Sequence, residues 1–388
     1  MIGPSFERIP TNMNTKTVPS DIRARNIMAV FNLLFPAATV SRSELGRTLG
    51  LSRMATTEVT GEMLDNHIIR EVGEDTRAGR GKRSVMLAID TAFWRIITID
   101  LSQPYLLQGA LVDLGGRIIE RMEVPIEDRV SISITLIAEL AQKLMAASSQ
   151  PILGLGVAVP GVVNHEGTVV DAVQLGWKDV PLHDELRDIL DLPVLIGNAT
   201  NAALVAERFF GEGGADSMLI RIGAGVGASL CLNGEIVDGS ACMAGEIGHV
   251  VVDPEGPGCA CGKRGCLEAY LSTNNLYAQI ASDPANRTEI LTGAGQLLGR
   301  VMAMPLGLLN LHDVTIDAPA DIGGETFIHA MSGELSAALN TQYMTIPLLH
   351  RCQVGPNASL RGQAISVLRR IVPHIRQLST HMHTAHDE

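Results

Sequence analysis

Apolar residues near the start of the chain recur every three or four positions. Between Asp21 and the stop at Pro36 this spacing predicts a first helix. Its inner stripe consists of Ile27, Val30, Phe31 and Leu34. Residues 1–20 lack any such period, and we expect them to be a mobile tail without a secretory signal.

Two further short helices follow the first. Ser41 and Glu44 have the spacing of a capping box and precede Leu45 and Leu49. Gly50 then allows a turn, and Ser52 can cap a third helix whose inner stripe is Ala55, Val59 and Met63. A short helix, a turn and a second short helix form the helix-turn-helix pattern.

A basic loop follows this pattern. Residues 68–71 and 84–89 are predicted strands, and the segment between them carries four cations and two glycines within residues 77–83. The composition favours a hairpin wing that contacts DNA. The alternative is a helical protein-interaction module with a solvated loop. The predicted DNA-contacting residues are Arg42, Ser43, Ser52, Arg53, Thr56, Thr57, Arg77, Arg80, Lys82 and Arg83.

From Ile96 onwards the pattern changes to strands. Strands are predicted at 96–101, 107–112 and 117–124, followed by a helix over about 131–146 and a strand at 152–159. A second block has a helix from Asn198 to Phe210 and strands at 218–222 and 228–232. The repeated unit predicts a two-lobed α/β body. A late helix at 364–372 is expected to pack on the first lobe.

Charge is divided unevenly along the chain. The net charge is −12, but residues 1–90 carry about +2 and residues 91–388 about −14. A near-neutral head on an acidic body permits a local DNA contact. The chain has 388 residues and no apolar run of 18, which predicts two or three domains and no membrane span. We expect a cytoplasmic protein.

Three of the six cysteines lie within eight residues. Cys259, Cys261 and Cys266 follow His249 in a segment rich in glycine. Three thiolates and one imidazole form a common tetrahedral zinc site. With four protein ligands no position stays open, so the predicted Zn²⁺ is structural. The alternative is a loop of free thiols.

These residues resemble the motifs of the ROK family, which comprises repressors, open reading frames and sugar kinases. The similarity extends from about Arg23 to Val372. It includes the segment Gly245–His249, the cysteine loop, the strand-loop segment 154–163, and Gln174-Leu175-Gly176-Trp177 with Gln in place of the family's Asn. The resemblance implies an actin-like (ribonuclease-H-like) fold, and it covers both kinases and repressors.

The resemblance also implies a sugar site. Carried over by position, Asn198, Glu246, His249 and Glu268 would contact sugar hydroxyls, with His249 also a zinc ligand. Carboxylates accept hydroxyl hydrogen bonds strongly, which fits this role. Simpler interpretations are a helix N-cap for Asn198 and a carboxylate at a helix N-terminus for Glu268.

Kinase chemistry is missing at several positions. The family's general base is the Asp of an Asn-Asp-x-Asn segment, and here Ala199 replaces it. The first phosphate loop, 100–104, has lost both of its glycines. The second, 223–227, keeps its glycines but has Ala224 where Thr is usual, so we interpret it as a tight turn between strands. Gly323-Gly324 matches the family's late glycine pair only weakly.

We therefore interpret the chain as a sugar-responsive regulator without catalytic residues, most simply a repressor. Its expected partners are double-stranded operator DNA, a sugar or sugar derivative, and a second copy of itself in a dimer or tetramer. The predicted domains are a tail (1–20), a winged helix-turn-helix (21–90), one lobe (91–197 with 357–380) and a second lobe with the zinc loop (198–356). The alternatives are an ATP-dependent sugar kinase and a repressor controlled by a protein partner.

Overall fold

The structure, a computed structural model, describes residues 19–74, 84–339, 342–343 and 345–375. The chain divides into two compact units. Of the described residues, those up to 89 and those from 369 to 375 form the N-terminal unit, and those between 90 and 368 form the body. The sequence analysis assigns 357–380 to a lobe of the body, whereas the described residues 369–375 group with the N-terminal unit.

The described part of the N-terminal unit has three helices ahead of the body and a small antiparallel sheet. The helices are α1 (Pro19–Leu34), α2 (Arg42–Leu49) and α3 (Arg53–Asp65). The strands are β1 (Val40–Ser41), β2 (Ile69–Glu74) and β3 (Val85–Ile89), in the order β1-β3-β2. Elements α2 and α3 are thus joined by a short turn, and β2 and β3 pair across the segment that carries the basic loop.

Capping explains where α2 and α3 begin and end. The Glu44 N–H donates to Ser41 Oγ at 3.3 Å, and the Ala55 N–H donates to Ser52 Oγ at 3.1 Å. Gly50 ends α2 at φ 65°, a left-handed conformation that glycine adopts without steric cost. Both predicted N-caps are confirmed.

The core of the N-terminal unit lies between its helices and its sheet. The inner stripe of α1 is fully buried, as are Leu45, Met63 and Leu87. Phe31 and Phe35 stack with ring centroids 5.2 Å apart. The short C-terminal turn Val372–His374 packs against α1. The last described residues therefore help to close this core.

The strands of the body form two five-stranded sheets and one small sheet. They are β4 (Arg95–Asp100), β5 (Leu106–Val112), β6 (Ile118–Pro125), β7 (Ile152–Val159), β8 (Val162–Val163), β9 (Val169–Ala172), β10 (Trp177–Val180), β11 (Val194–Asn198), β12 (Ser217–Ile222), β13 (Val226–Leu232), β14 (Glu235–Ile236), β15 (Asp313–Asp317) and β16 (Leu348–Arg351).

Eight α-helices begin within the described residues of the body. They are α4 (Ile134–Ala147), α5 (Leu182–Leu190), α6 (Ala199–Phe210), α7 (Glu268–Leu271), α8 (Thr273–Ser282), α9 (Arg287–Leu309), α10 (Glu325–Ala338) and α11 (Ala358–Ile371). Short 3₁₀ turns lie at Arg129–Ser131, Val173–Leu175, Ile247–His249, Pro284–Asn286, Gly355–Asn357 and Val372–His374. None of the helices in the described ranges is long and apolar enough to cross a membrane.

The two large sheets share one topology. The first has the order β11-β7-β4-β5-β6 and the second the order β14-β13-β12-β15-β16. In each, a central strand pairs antiparallel with the next strand and parallel with a later one. The predicted duplication of an α/β unit is confirmed, and each sheet has its own apolar core.

Helix α11 begins at Ala358, six residues earlier than predicted. The apolar period does not extend over its first turns, because Ser359 and Gln363 are polar residues at buried positions. The Gln363 amide donates to Leu195 O at 3.0 Å, and the Ser359 hydroxyl to Ala199 O at 3.2 Å. A Cβ on Gly362 would overlap the Ala202 carbonyl oxygen, so α6 and α11 cross with their backbones in contact.

Candidate functional site

The predicted metal ligands come together in the body. One ligand atom from each of His249, Cys259, Cys261 and Cys266 lies within 4.8 Å of all the others. Cys259 Sγ is 3.7 Å from His249 Nδ1, and Cys261 Sγ is 3.7 Å from Cys266 Sγ. A tetrahedron with metal–sulfur bonds of about 2.3 Å has edges of roughly 3.8 Å. The four side chains therefore fit one tetrahedral cation.

The chemistry of the thiols agrees with this fit. The sulfur separations are too long for disulfides, and all three cysteines are free thiols. Burial raises the pKa of Cys266 to about 12. A metal ion that coordinated such a thiol would displace its proton. The set can hold a soft divalent cation.

The loop around these ligands depends on close backbone contacts. Isolated bridges pair Val251 with Cys266 and Gly258 with Arg264. Gly265 has φ 66°, and a Cβ there would overlap the Asp253 carbonyl oxygen. The Tyr270 hydroxyl donates to Asp253 Oδ2 at 2.9 Å. These contacts fix the start of α7, where Glu268 lies.

Glu246 and Glu268 flank the metal ligands. The Val226 N–H donates to Glu268 Oε2 at 3.0 Å. Burial raises the pKa of the Glu246 carboxyl, His249 opposes that rise, and the charges of Glu268 and Asp171 add to it. The structure thus brings the predicted residues Glu246, His249 and Glu268 into one neighbourhood. Asp171, on β9, was missed by the sequence analysis.

The Gln174 side chain lies in the same neighbourhood as Glu246 and Glu268, although it comes from an earlier segment of the chain. A Cβ on Gly225 would overlap Gln174 Nε2 and would lie 3.0 Å from Glu268 Oε2. Only glycine at 225 leaves room for both side chains. Gln174, which replaces the family's Asn, therefore lies beside the Glu268 carboxylate.

Asn198 serves as the N-cap of α6. Its Oδ1 accepts from the Thr200 N–H at 2.7 Å and from the Asn201 N–H at 3.0 Å. Its Nδ2 donates to the Gly161 carbonyl at 2.9 Å. The cap interpretation is confirmed. A primary amide has two N–H donors, so one hydrogen remains after the bond to Gly161.

The family's base position is buried and apolar. Ala199 is 2% exposed, and its carbonyl accepts from Arg221 Nη1 at 3.3 Å. Arg221 also donates to Asp317 Oδ2 at 2.7 Å and to Ser359 Oγ at 2.9 Å. Burial lowers the pKa of Arg221, but the Asp317 and Asp100 charges outweigh it, so the pKa is raised. The sequence analysis missed this cation, although a lone Arg in the apolar strand β12 marks it.

Both candidate phosphate loops are turns with internal hydrogen bonds. Asp100 Oδ1 accepts from the Ser102 N–H at 2.8 Å, so this carboxylate closes its own turn. Residues 223–225 join β12 to β13 directly, with Ile222 paired to Val226 and the Gly223 N–H bonded to Gly225 O. The interpretation of this segment as a tight turn between strands is confirmed.

The predicted DNA-contacting residues behave differently from one another. Ser43, Ser52, Arg53 and Thr57 are exposed, and Arg42 pairs with Glu71 at 3.1 Å. Thr56 is only 4% exposed, and its hydroxyl donates to Ser52 O. A Cβ on Gly46 would lie 3.0 Å from Thr56 Oγ1, so Thr56 packs between α2 and α3. Its assignment to the DNA face was wrong. Arg77, Arg80, Lys82 and Arg83 lie outside the described residues.

Comparison with known proteins defines the class. The profile of the ROK family matches residues 97–297, and the chain belongs to this family. It is 30% identical over 263 residues to the xylose repressor of Caldicellulosiruptor bescii, covering 66% of this chain and 65% of that protein. The chain thus spans slightly less than two thirds of that repressor.

Two further relatives extend over almost the whole chain. The DNA-binding transcriptional repressor Mlc of Escherichia coli (strain K12) is 24% identical over 378 residues, 89% of this chain and 93% of Mlc. The crystal structure of a ROK family transcriptional regulator, a homologue of E. coli Mlc, superposes with a TM-score of 0.77 at 23% identity. It covers 91% of this chain and 97% of that chain. The mixed α/β fold is therefore that of the ROK family.

Proposed function

We propose that this protein is a sugar-responsive transcriptional repressor of genes for carbohydrate metabolism or transport, and not an enzyme. The observation that carries the proposal is the pairing of two features in one chain. A unit with a helix, turn and helix precedes a ROK body in which Ala199 stands at the base position. The names of the relatives, a xylose repressor and the repressor Mlc, support the same function.

The N-terminal unit acts as a winged helix-turn-helix. Helix α3 is the recognition helix, and its exposed Arg53 and Thr57 face the DNA together with its N-cap Ser52 and with Arg42 and Ser43. The cations Arg77, Arg80, Lys82 and Arg83 of the wing bind the phosphate backbone, which supplies most of the affinity. Two such heads, in a homodimer or homotetramer, would read a two-fold symmetric operator.

The sensor site lies beside the cysteine loop. Glu246, Glu268 and His249 accept or donate hydrogen bonds to sugar hydroxyls, and the remaining N–H of Asn198 donates another. A structural Zn²⁺ held by His249, Cys259, Cys261 and Cys266 supplies rigidity to this loop when bound. Preorganised carboxylates bind a polyol with less loss of side-chain entropy than mobile ones.

Catalysis is absent because the proton acceptor is absent. A positioned base contributes about 10²–10⁴-fold to a rate, and the methyl group of Ala199 cannot take a proton. Arg221 and Asp100, moreover, are committed to internal bonds. The sugar therefore acts as an effector. It weakens DNA binding only if it prefers the form with low affinity for DNA.

Fluorescence anisotropy tests the proposal directly. The full-length protein is titrated onto duplex DNA from upstream of its own gene at a fixed, stated salt concentration, with scrambled competitor DNA. We expect specific binding, released by one member of a panel of pentoses, hexoses and amino sugars. Arg53→Ala should weaken binding by about 1–3 kcal/mol, whereas Arg300→Ala, an exposed arginine on α9, should have no effect.

Further assays on the full-length protein distinguish a repressor that responds to a sugar from a kinase and from a repressor controlled by a protein partner. ATP consumption that depends on a sugar would establish a kinase and contradict the proposal. Release of DNA by a protein partner, unaffected by any sugar, would favour a repressor controlled by that partner. If selection from a random pool of duplexes yielded none that the protein binds specifically, DNA recognition itself would be contradicted.

A further inference from the structure

The outer face of α3 carries an unusual residue for an exposed position. Met54, the second residue of the helix, is 79% exposed. The inner face is formed by Val59 and Met63, which are buried, so the opposite face is well defined. Met54 therefore projects into solvent from the leading end of the helix.

The side chains along this face become shorter towards the C-terminus of the helix. Met54, Thr57 and Gly61 lie three to seven residues apart and share one face. A Cβ at Gly61 would meet no other atom within 4 Å. A surface that follows this face would reach Met54 first and could approach the backbone closely near Gly61.

The charges on this face indicate which part of the DNA it contacts, the phosphate backbone or the base edges. Arg53, Met54, Thr57 and Glu58 line one shallow concavity. One cation and one anion cancel, so this face contributes little to phosphate affinity. A carboxylate is unfavourable beside a phosphate backbone but can accept a hydrogen bond from cytosine N4 in the major groove. A face of this composition suits base edges better than a phosphate backbone.

A methionine at the leading end has one apolar target in the major groove. Among the bases, only thymine presents a methyl group there. The thioether chain is flexible and polarizable, and it packs well against small apolar groups. We propose that Met54 is a specificity-determining residue that contacts the thymine C5-methyl group of the operator. The inference rests on the proposed DNA binding and adds the chemistry of one base contact.

Uracil replacement tests the contact because uracil lacks only this methyl group. High-affinity duplexes are selected from a random pool with the full-length protein, and each thymine is then replaced by uracil. Burial of one methyl is worth about 0.8 kcal/mol, so we expect about fourfold weaker binding at one position in each half-site. A further duplex carries cytosine in place of that thymine, which also removes the methyl group. Its conversion to 5-methylcytosine restores the methyl group and should recover part of the affinity.

Variants assign the effect to Met54. Met54→Ala should bind the thymine and uracil duplexes equally, and Met54→Leu should keep the preference for thymine. Met304→Ala is the matched control, since Met304 on α9 is also exposed, at 74%. Because Met54 has few contacts to lose, its alanine variant should keep the wild-type melting temperature.

Two outcomes would overturn the inference while leaving the proposed function intact. One is equal affinity of the wild type for thymine and uracil at every position. The other is a thymine preference that persists in Met54→Ala. A protein that selects no duplex from the pool would instead contradict the proposed function, and this contact with it.

Discussion

The two sides of the body differ in how their polar groups are used. On the cysteine side, four potential ligands converge within 4.8 Å, and Glu246 and Glu268 lie beside them. On the side around Ala199, Arg221 is bonded to Asp317, Ser359 and the Ala199 carbonyl. The first side presents groups that a ligand can engage. The second has satisfied its groups with bonds inside the body.

The strongest test of the cysteine side removes one ligand. Cys266→Ala leaves three donors, so we expect loss of the bound metal and a destabilisation of several kcal/mol, because metal binding and folding of such loops are coupled. Elemental analysis should give one zinc per wild-type chain and less in the variant, with a melting temperature lower by several degrees. Cys242→Ser, a cysteine outside the cluster, should keep the metal. Equal zinc content in both variants would contradict the ligand assignment.

The matching test of the other side breaks the Arg221 bonds. Arg221→Met leaves Asp317, whose side chain is 20% exposed, without its cation, and we expect a loss of about 1–3 kcal/mol, less than a fully buried pair would give. Urea unfolding should show this loss, and Arg221→Met with Asp317→Asn should recover part of it. Arg300→Met removes an exposed pair with Glu334 and should cost under about 1 kcal/mol. Equal losses in the two single variants would show that the Arg221 bonds are not structural.

A third prediction concerns the carboxylates beside the metal ligands. Glu246→Gln weakens the acceptor for sugar hydroxyls, since bonds to a charged group are worth about 1.5–3 kcal/mol. The sugar concentration that releases DNA should rise by roughly one order of magnitude or more, with DNA affinity unchanged. Glu255→Gln, an exposed carboxylate in the same loop, is the control. An unchanged sugar response would place the effector elsewhere.

The smallest expected effect is a dependence of stability on pH. His350 Nε2 lies 2.5 Å from Asp313 Oδ1, and this hydrogen bond raises the pKa of His350. The folded state thus binds the proton more tightly than the unfolded state. The pair stabilises fully below the unfolded histidine pKa of about 6.5 and loses its effect as pH rises through the higher folded value. The stability difference between wild type and His350→Gln should shrink from pH 6 to pH 8, as denaturant titrations at each pH would record.

Elements with periodic apolar residues were predictable from sequence. The caps at Ser41 and Ser52, the inner stripe of α1 and the duplicated sheets followed from local patterns. The convergence of His249 with the three cysteines was also predictable, because Cys and His at short spacing leave few other interpretations. Here local chemistry and the fold agree.

Other features depend on contacts between distant segments. The burial of Thr56 is set by its packing near Gly46, and no periodic pattern reveals that. The bonds of Arg221 join residues 22 to 138 positions apart. Helix α9 was not predicted, because Pro305 and several glycines interrupt its 23-residue pattern. These are cases in which tertiary packing overrides local preference.

The close backbone crossings have a consequence for how the sequence can change over evolutionary time. At Gly362 and Gly265 any side chain would collide with a carbonyl oxygen of another segment. Selection at these two positions therefore preserves the space between two backbone segments. It would act in the same way in a kinase and in a repressor. Met54, which is 79% exposed, is under no such constraint. Divergence among relatives should accumulate at this position, and there it would record changes of operator.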